Sequence, residues 1–261
     1  RRPPRSPLFP YTTLFRSGVN SLGSPGVALA KELGVIRSEH DISLIPLSPT
    51  LVARPADWPD YAAITGWWSI PDHGEIDDEL AQFLDVGPVL YAGFGSMRDN
   101  HGLARADAIV SAARLLGMKT LLVTGWGGLV PTPDHMVSPD VVVRESVPHS
   151  LVLPRVDAAL HHGGAGTTHA MIRSGTPSVI MPFIADQPWW AARLEEKGVG
   201  APTLSRRTTN PHAIVAAITQ ARSLSEAIEF AAGEMDHEDG LATALDILEQ
   251  AEQGVFPFKP A

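Results

Sequence analysis

From residue 86 onward the chain alternates short, almost wholly apolar runs with helical patterns, and few folds accommodate that rhythm. Pro88–Phe94, Lys119–Val123, Val141–Val147, Ala158–His161 and Ser178–Met181 have strand length and hardly any polar side chains. A half-exposed strand alternates polar and apolar residues. A strand that is apolar throughout needs cover on both faces. Helical patterns lie between and after these runs, at Ala104–Leu116, Thr167–Ser174, Gln187–Lys197, 211–222, 224–233 and 239–252, with a further short strand expected at Ala201–Leu204. The fold class that follows is α/β, a Rossmann-like doubly wound parallel sheet over residues 86–252. Such sheets bind ligands at the carboxyl ends of their strands.

Upstream the texture differs. Residues 18–34 carry a short helical pattern, with Val27, Leu29, Ala30 and Leu33 on one side and Gly34 as a stop. Ile42–Leu47 is a short strand candidate. Pro46, Pro49, Pro55, Pro59 and Pro71 then punctuate an extended stretch with Trp58, Trp67 and Trp68. Proline at this density favours a linker or edge segment over a packed helix. Residues 18–85 are therefore expected to be a linker with the remnant of an earlier domain, and 253–261 a tail. Residues 1–17 hold four Arg, four Pro and no acid. They lack the apolar stretch and small-residue cleavage site of a signal peptide. Leu8–Ser17 resembles the translation of a sequencing-adapter oligonucleotide, so 1–17 is expected to be non-native, with the protein truncated upstream.

Composition excludes several classes. With 29 acidic and 20 basic residues the formal charge is −9, and without the first 17 residues it is −13. Nucleic acid calls for clustered Lys and Arg and is not an expected partner. The absence of Cys removes disulfides, thiol nucleophiles and Cys-ligated metals. No run of 18 apolar residues occurs, so no stable membrane insertion is expected, and the expected location is cytoplasmic.

The strongest local signal is His161-His162-Gly163-Gly164-Ala165-Gly166-Thr167-Thr168, between an apolar strand and a helix. Glycines there let a ligand approach the backbone. First-turn N–H groups and the helix dipole favour an anion, typically a phosphate, and the Thr hydroxyls can add donors. The plainer interpretation is a tight strand-to-helix turn using Gly for geometry alone. Neither G-x-x-x-x-G-K-[ST] nor G-x-G-x-x-G is present, and Gly93-Phe94-Gly95-Ser96 supplies only half of the latter. A second turn, Pro182-Phe183-Ile184-Ala185-Asp186-Gln187-Pro188-Trp189-Trp190, again joins a strand to a helix. Asp186 could cap that helix. Alternatively, a carboxylate beside a carboxamide matches the vicinal hydroxyls of a sugar, with indoles as an apolar wall. His149, His161, His162 and His169 are the candidates for a metal, but their spacing fixes no ligand set and none is expected. No G-x-S-x-G elbow supports a serine hydrolase.

Taken together, H-H-G-G-A-G-T-T, G-T-P-S-V-I-M-P and D-Q-P-W-W resemble the donor-binding signature of the UDP-dependent glycosyltransferases. Ser48–Trp58, Gly93–Met97, Ser146–Leu153 and Glu238-Asp239-Gly240 are similar to the bacterial sterol or macrolide-type branch. The resemblance covers residues 42 to about 250. It implies a GT-B fold of two Rossmann-like domains, of which this chain is the C-terminal, donor-binding one. It further implies inverting transfer of a hexose from a nucleotide sugar, UDP-glucose first, to a hydroxyl of a lipophilic acceptor such as a sterol or macrolide. His162 and the turn Gly164, Ala165, Gly166, Thr167 and Thr168 would contact the diphosphate, with Ser96 approaching from the first turn. The Val147 backbone would bond the uracil, and Asp186 and Gln187 would hold sugar hydroxyls. The leaving diphosphate would be stabilised by helix N–H groups and His162, with no metal and no cofactor.

Two positions depart from the plant members. Ser146 stands where those place a stacking Trp, and Ala170 where they place a ribose-binding Glu, which leaves a dTDP-sugar open as donor. The family's general base, a His in the first domain, has no counterpart here, so the chain is expected to bind donor and transfer little sugar. A non-catalytic nucleotide-sugar-binding module is the alternative from another class. A Rossmann oxidoreductase built on Gly93–Ser96 would need an acid about 20 positions beyond the glycines, and residues 110–122 contain none. A nucleotide-sugar epimerase would explain the Asp186-Gln187-Pro188 turn less well.

Overall fold

The computed structural model describes residues 42–58, 60–69 and 74–253. The helix expected at 18–34 and the segment 1–17 lie outside the described residues, as does the tail from 254. The chain divides into two compact units, one ending at Ser69 and resuming at Glu238, the other spanning Ile70–His237.

The larger unit holds a five-stranded sheet of β3 (Val89–Gly93), β4 (Lys119–Val123), β5 (Val141–Arg144), β6 (Ala158–His161) and β7 (Ser178–Ile180). The strands lie in the order β5-β4-β3-β6-β7, and every pairing is parallel. This is the doubly wound order, in which the chain moves outward from β3, then returns to place β6 on its other side. The continuous apolar strands are explained by two cores. Leu90, Ala92, Leu122 and Leu160 face one core with Ile109 and Ala113 of α2 (Gly102–Leu115) and Ile214 and Ile218 of α7 (Pro211–Arg222). The alternate residues Val89, Tyr91, Leu121, Val123 and Ala159 face the other, with Leu80, Phe83 and Leu84 of α1 (Asp78–Asp85), Val152 of α4 (His149–Val152) and Met171 of α5 (Ala165–Arg173). Neither face meets water, so both sets are almost wholly apolar, with the Tyr91 hydroxyl as the exception. The remaining helices of this unit are α3 (Pro133–Val137), α6 (Gln187–Glu196) and α8 (Ser225–Asp236).

Two expectations need correcting here. Ala201–Leu204 is not a strand; Leu204 N–H donates to Ile180 O at 3.0 Å beside β7, but no ladder forms. Residues 78–85, assigned to the linker, form α1. Asp77 caps it by accepting from Leu80 N–H at 2.8 Å, and the Arg144 guanidinium holds the same carboxylate. Leu80, Phe83 and Leu84 recur at helical spacing and give α1 its buried side. The proline texture just upstream masked so short a helix.

The smaller unit is built from distant segments. β1 (Ser43–Ile45) pairs in parallel with β2 (Ala62–Ile64), a strand hidden in the proline-rich stretch. The motif Glu238-Asp239-Gly240 closes this unit residue by residue. Glu238 Oε1 accepts from Ser48 Oγ at 2.7 Å, Thr50 Oγ1 at 2.7 Å and Thr50 N–H at 3.1 Å. Asp239 caps α9 (Gly240–Glu252) by accepting from Ala242 N–H at 2.9 Å. A Cβ on Gly240 would stand 2.6 Å from the carbonyl of Gly66. Thus α9, expected to close the sheet domain at 252, belongs with residues 42–69, and the units part at 69/70 and 237/238 rather than at 85/86 and 252/253. Gly240→Ala should lower the smaller unit's stability by about 1–3 kcal/mol, as overpacking against rigid backbone does. Urea unfolding that matches the parent chain would contradict this packing.

Candidate functional site

The strand order places a crevice where the chain reverses, between the loops that leave β3 and β6. Gly93 and His161, the last residues of these strands, are register partners, and Val123 pairs with Gly93 on the other side. The loops carrying Gly95-Ser96 and His162–Gly164 therefore leave the sheet side by side.

His162 sits half-buried between two glycines. A Cβ on Gly95 would come within 3.3 Å of the imidazole Cε1, and one on Gly164 within 2.5 Å of Nε2. Both glycines thus make room for this ring. Burial lowers the His162 pKa and the neighbouring His149 acts in the same direction, while Asp186 opposes them. The ring is consequently neutral at neutral pH, a donor at one nitrogen and an acceptor at the other. Its Nδ1 is buried without a partner among the described residues.

His161, next in the chain, does something different. It is fully buried, with Nδ1 accepting from Gly163 N–H at 3.2 Å and Nε2 facing Ser178 Oγ at 3.2 Å. Burial above all, with the nearby His162 and His149, lowers its pKa to about 3. It shapes the turn from below. Gly163 adopts φ +85°, and a Cβ there would meet Ile180 Cγ2 at 2.6 Å, so the turn presses directly onto β7.

No side chain caps α5: Gly164 is its N-cap, and the leading amides of Ala165, Gly166 and Thr167 open beside His162. Gly166 is exposed, and Ala165 and Thr167 are half-buried. Thr168 is fully buried, and its hydroxyl is without a partner among the described residues, so its side chain is not on the exposed surface of the turn. His169 is likewise core, its Nδ1 2.7 Å from Ala165 O and its ring edge-on to Trp190.

The second turn is organised by its own side chains. Gln187 is buried; its Oε1 accepts from Phe183 N–H at 2.6 Å and Ile184 N–H at 3.0 Å, and its Nε2 donates to Met97 Sδ at 3.3 Å. The carboxamide therefore holds the turn and fastens it to the β3–α2 loop. Asp186 stands at the N-cap of α6, but its side chain makes no capping bond; its Oδ2 accepts from Trp190 Nε1 at 3.1 Å. Ala185 bends the chain before it with φ 62°, the only positive φ outside glycine among the described residues. Trp190, a candidate wall residue, is wholly buried, while Trp189 is half-buried.

Ser96 lies exposed in the β3–α2 loop. Val147 follows β5, half-buried, its side chain packed against the core that includes Tyr91 and Val142. Sequence reasoning considered His149 only as a metal ligand. It stands at the start of α4 with Nε2 3.2 Å from Tyr91 Oη, close enough to His162 to affect its charge. The short V-P-H-S run after a strand was the available signal. Among the described residues no cluster of His, Asp or Glu is arranged to hold a metal. No described helix is long and apolar enough to cross a membrane.

The buried histidines set a pH dependence. His161 is depressed in the folded chain but takes a proton near pH 6.5 when unfolded, so the unfolded state gains protons first as pH falls. Stability should be constant between about pH 7 and 9 and decline below pH 7, by up to about 1.4 kcal/mol per pH unit per histidine. Asp77 and Asp99, both lowered from 3.8, add their losses only at still lower pH. Urea midpoints between about pH 7 and 4.5 check this, and His161→Asn should flatten the slope.

Residues 132–241 match the family described as erythromycin biosynthesis protein CIII-like, C-terminal domain. The sterol 3-beta-glucosyltransferase of Candida albicans is 32% identical over 224 residues, covering 78% of this chain and 14% of that protein. The vancomycin aglycone glucosyltransferase of Amycolatopsis orientalis is 38% identical over 200 residues, covering 73% of this chain and 44% of that protein. The chain thus spans less than half the length of either relative. The glycotransferase of kitacinnamycin superposes with a TM-score of 0.68 at 21% identity, covering 92% of this chain and 67% of that one. The calicheamicin glycosyltransferase CalG4 gives a TM-score of 0.68 at 19% identity, covering 95% and 64%. The chain shares the fold of these GT-B glycosyltransferases, its residues 132–241 match the erythromycin biosynthesis protein CIII-like C-terminal domain, and sterol and glycopeptide glucosyltransferases are among its homologues.

Proposed function

We propose that the crest of the five-stranded sheet binds the diphosphate of a nucleotide sugar, and that the chain is the donor-binding share of an inverting hexosyltransferase. One observation carries this: the uncapped N-terminus of α5 opens at the strand-order switch point with a neutral imidazole, His162, beside it. Unpaired amides at a helix start favour an anion, and a neutral imidazole can donate to a phosphate oxygen without desolvating a charge. Ser96, on the facing loop, is exposed and within the same crevice. A net charge of −9 does not steer an anionic donor from afar, so these local donors must do the binding.

In this assignment the acceptor hydroxyl attacks the anomeric carbon as its proton passes to a general base supplied from outside this chain. The diphosphate leaves, and the α5 amides and His162 stabilise its growing charge. UDP-glucose is the first donor to consider, with dTDP-sugars second because Ser146 and Ala170 depart from the plant pattern. Relatives named for a sterol and for a glycopeptide aglycone point to a lipophilic hydroxyl as acceptor. Asp186, half-buried at the start of α6, remains the residue assigned to the sugar; Gln187 contributes chiefly by holding that turn in shape.

Calorimetric titration of UDP, dTDP and UDP-glucose tests the proposal. Saturable binding is expected, weakened about tenfold in His162→Ala, the loss of one hydrogen bond to a charged group. Gly164→Ala should weaken it as much by displacing the imidazole. A folded chain that binds none of the three overturns the assignment. Binding should also persist in EDTA, because the proposed donors are amides and an imidazole; loss of affinity on chelation would assign the diphosphate to a metal instead.

A further inference from the structure

Arg105 is the one charged side chain of α2 that is wholly buried among the described residues, and diphosphate binding does not use it. Around it α2 buries Ala106, Ile109, Val110 and Ala113, so an apolar residue would suit the helix better. A buried guanidinium is costly unless each donor is matched. Here three segments supply acceptors and a fourth an aromatic face. Nη2 donates to Asp99 Oδ1 and Oδ2 at 2.9 and 2.7 Å, in the β3–α2 loop. Nη1 donates to Gly128 O at 2.7 Å, in the loop after β4. Nε and Nη2 donate to Arg206 O at 3.2 and 2.8 Å, between α6 and α7. The guanidinium carbon stands 4.8 Å from the ring centre of Phe183, in the turn after β7, and 5.3 Å from that of Phe94.

These loops also touch one another closely. A Cβ on Gly128 would lie 2.6 Å from Met97 O, and Met97 Sδ receives the Gln187 carboxamide. Trp126 N–H donates to Gly95 O at 3.1 Å. A shift of one loop must therefore displace the others.

We propose that Arg105 is a positioning residue: its planar fork ties the loops at the carboxyl ends of β3, β4 and β7 and the segment between α6 and α7 into one rigid body, and so sets where the Ser96 loop and the Phe183–Gln187 turn stand relative to the α5 N-terminus. Its consequence for donor affinity rests on the proposed function; the tying of the loops does not. A lysine, a point charge with no fork, reproduces only part of this.

Hydrogen exchange of the ligand-free chain, followed by mass spectrometry, tests the tie directly. In Arg105→Met, exchange should speed up in residues 95–101, 125–130, 182–187 and 205–208, while β3 to β7 keep their protection. Arg105→Lys should lie between this and the parent. Asp99→Asn, which leaves the guanidinium in place, should loosen the same segments more mildly, and serves if Arg105→Met does not fold. Titrated with UDP well below each melting temperature, Arg105→Met should bind about tenfold to a hundredfold more weakly, as a displaced binding group does. Parent rates in these loops for the folded variants overturn the proposal, as does loss of protection spread equally over strands and loops. Loosened loops in a chain whose parent form binds no UDP would uphold the positioning role and reject the donor assignment.

Discussion

Everything at the crest depends on a parallel sheet that is buried on both faces. Alternate residues of β3, β4 and β6 enter opposite cores, so the faces are almost wholly apolar, Tyr91 and Thr120 being buried exceptions. Polar groups open to a ligand therefore gather where strands end. The order β5-β4-β3-β6-β7 then selects one place among those ends, because the loops after β3 and β6 leave neighbouring strands. The register partnership of Gly93 with His161 brings Ser96 and His162 to the same rim.

At that rim the glycines act through close approach more than through flexibility. Gly95 and Gly164 flank the imidazole of His162, Gly163 lies on Ile180, and Gly128 lies on Met97 O. Side chains at these points would move the ring or separate the loops. The polar groups beneath serve the same end: His161 holds its turn to β7, Gln187 holds the 182–187 turn, and Arg105 joins that second turn and the β3–α2 loop to the loop after β4. Rigid support beneath a few exposed donors is how a binding site keeps its geometry without a ligand.

Much of this architecture was legible in the sequence. Strands at Lys119–Val123 and Ala158–His161 and the helix at 211–222 were placed residue for residue, because a short apolar run bounded by turn residues has strand length and an Ala- and Ile-rich helix shows its own period. α1 and β2 were not. Both are short and lie in or near a proline-rich stretch, and what stabilises them is packing with partners distant in sequence. The supposed strand at 201–204 failed for the converse reason, since apolar content without a ladder of partners does not make a strand. The division of α9 from the sheet unit rests on Gly240 against Gly66 and Glu238 against Ser48 and Thr50, pairings no local window contains.

The candidate site shows the same split. Local sequence determined that a glycine-rich turn with His162 opens a helix, since the apolar run, the glycines and the helical pattern are contiguous. It also determined the parallel α/β class, because strands without a polar face can exist only inside such a sheet. Only the tertiary structure decided which side chains face the crevice. It put His161, Thr168 and Trp190 into the core and left His162 and Ser96 at the rim. It brought His149 to Tyr91 and made Arg105 the buried centre of four loops. The physical reason is that periodicity reports burial along one element. A residue at a strand end or helix start instead takes its role from whichever loops the neighbouring strands bring beside it.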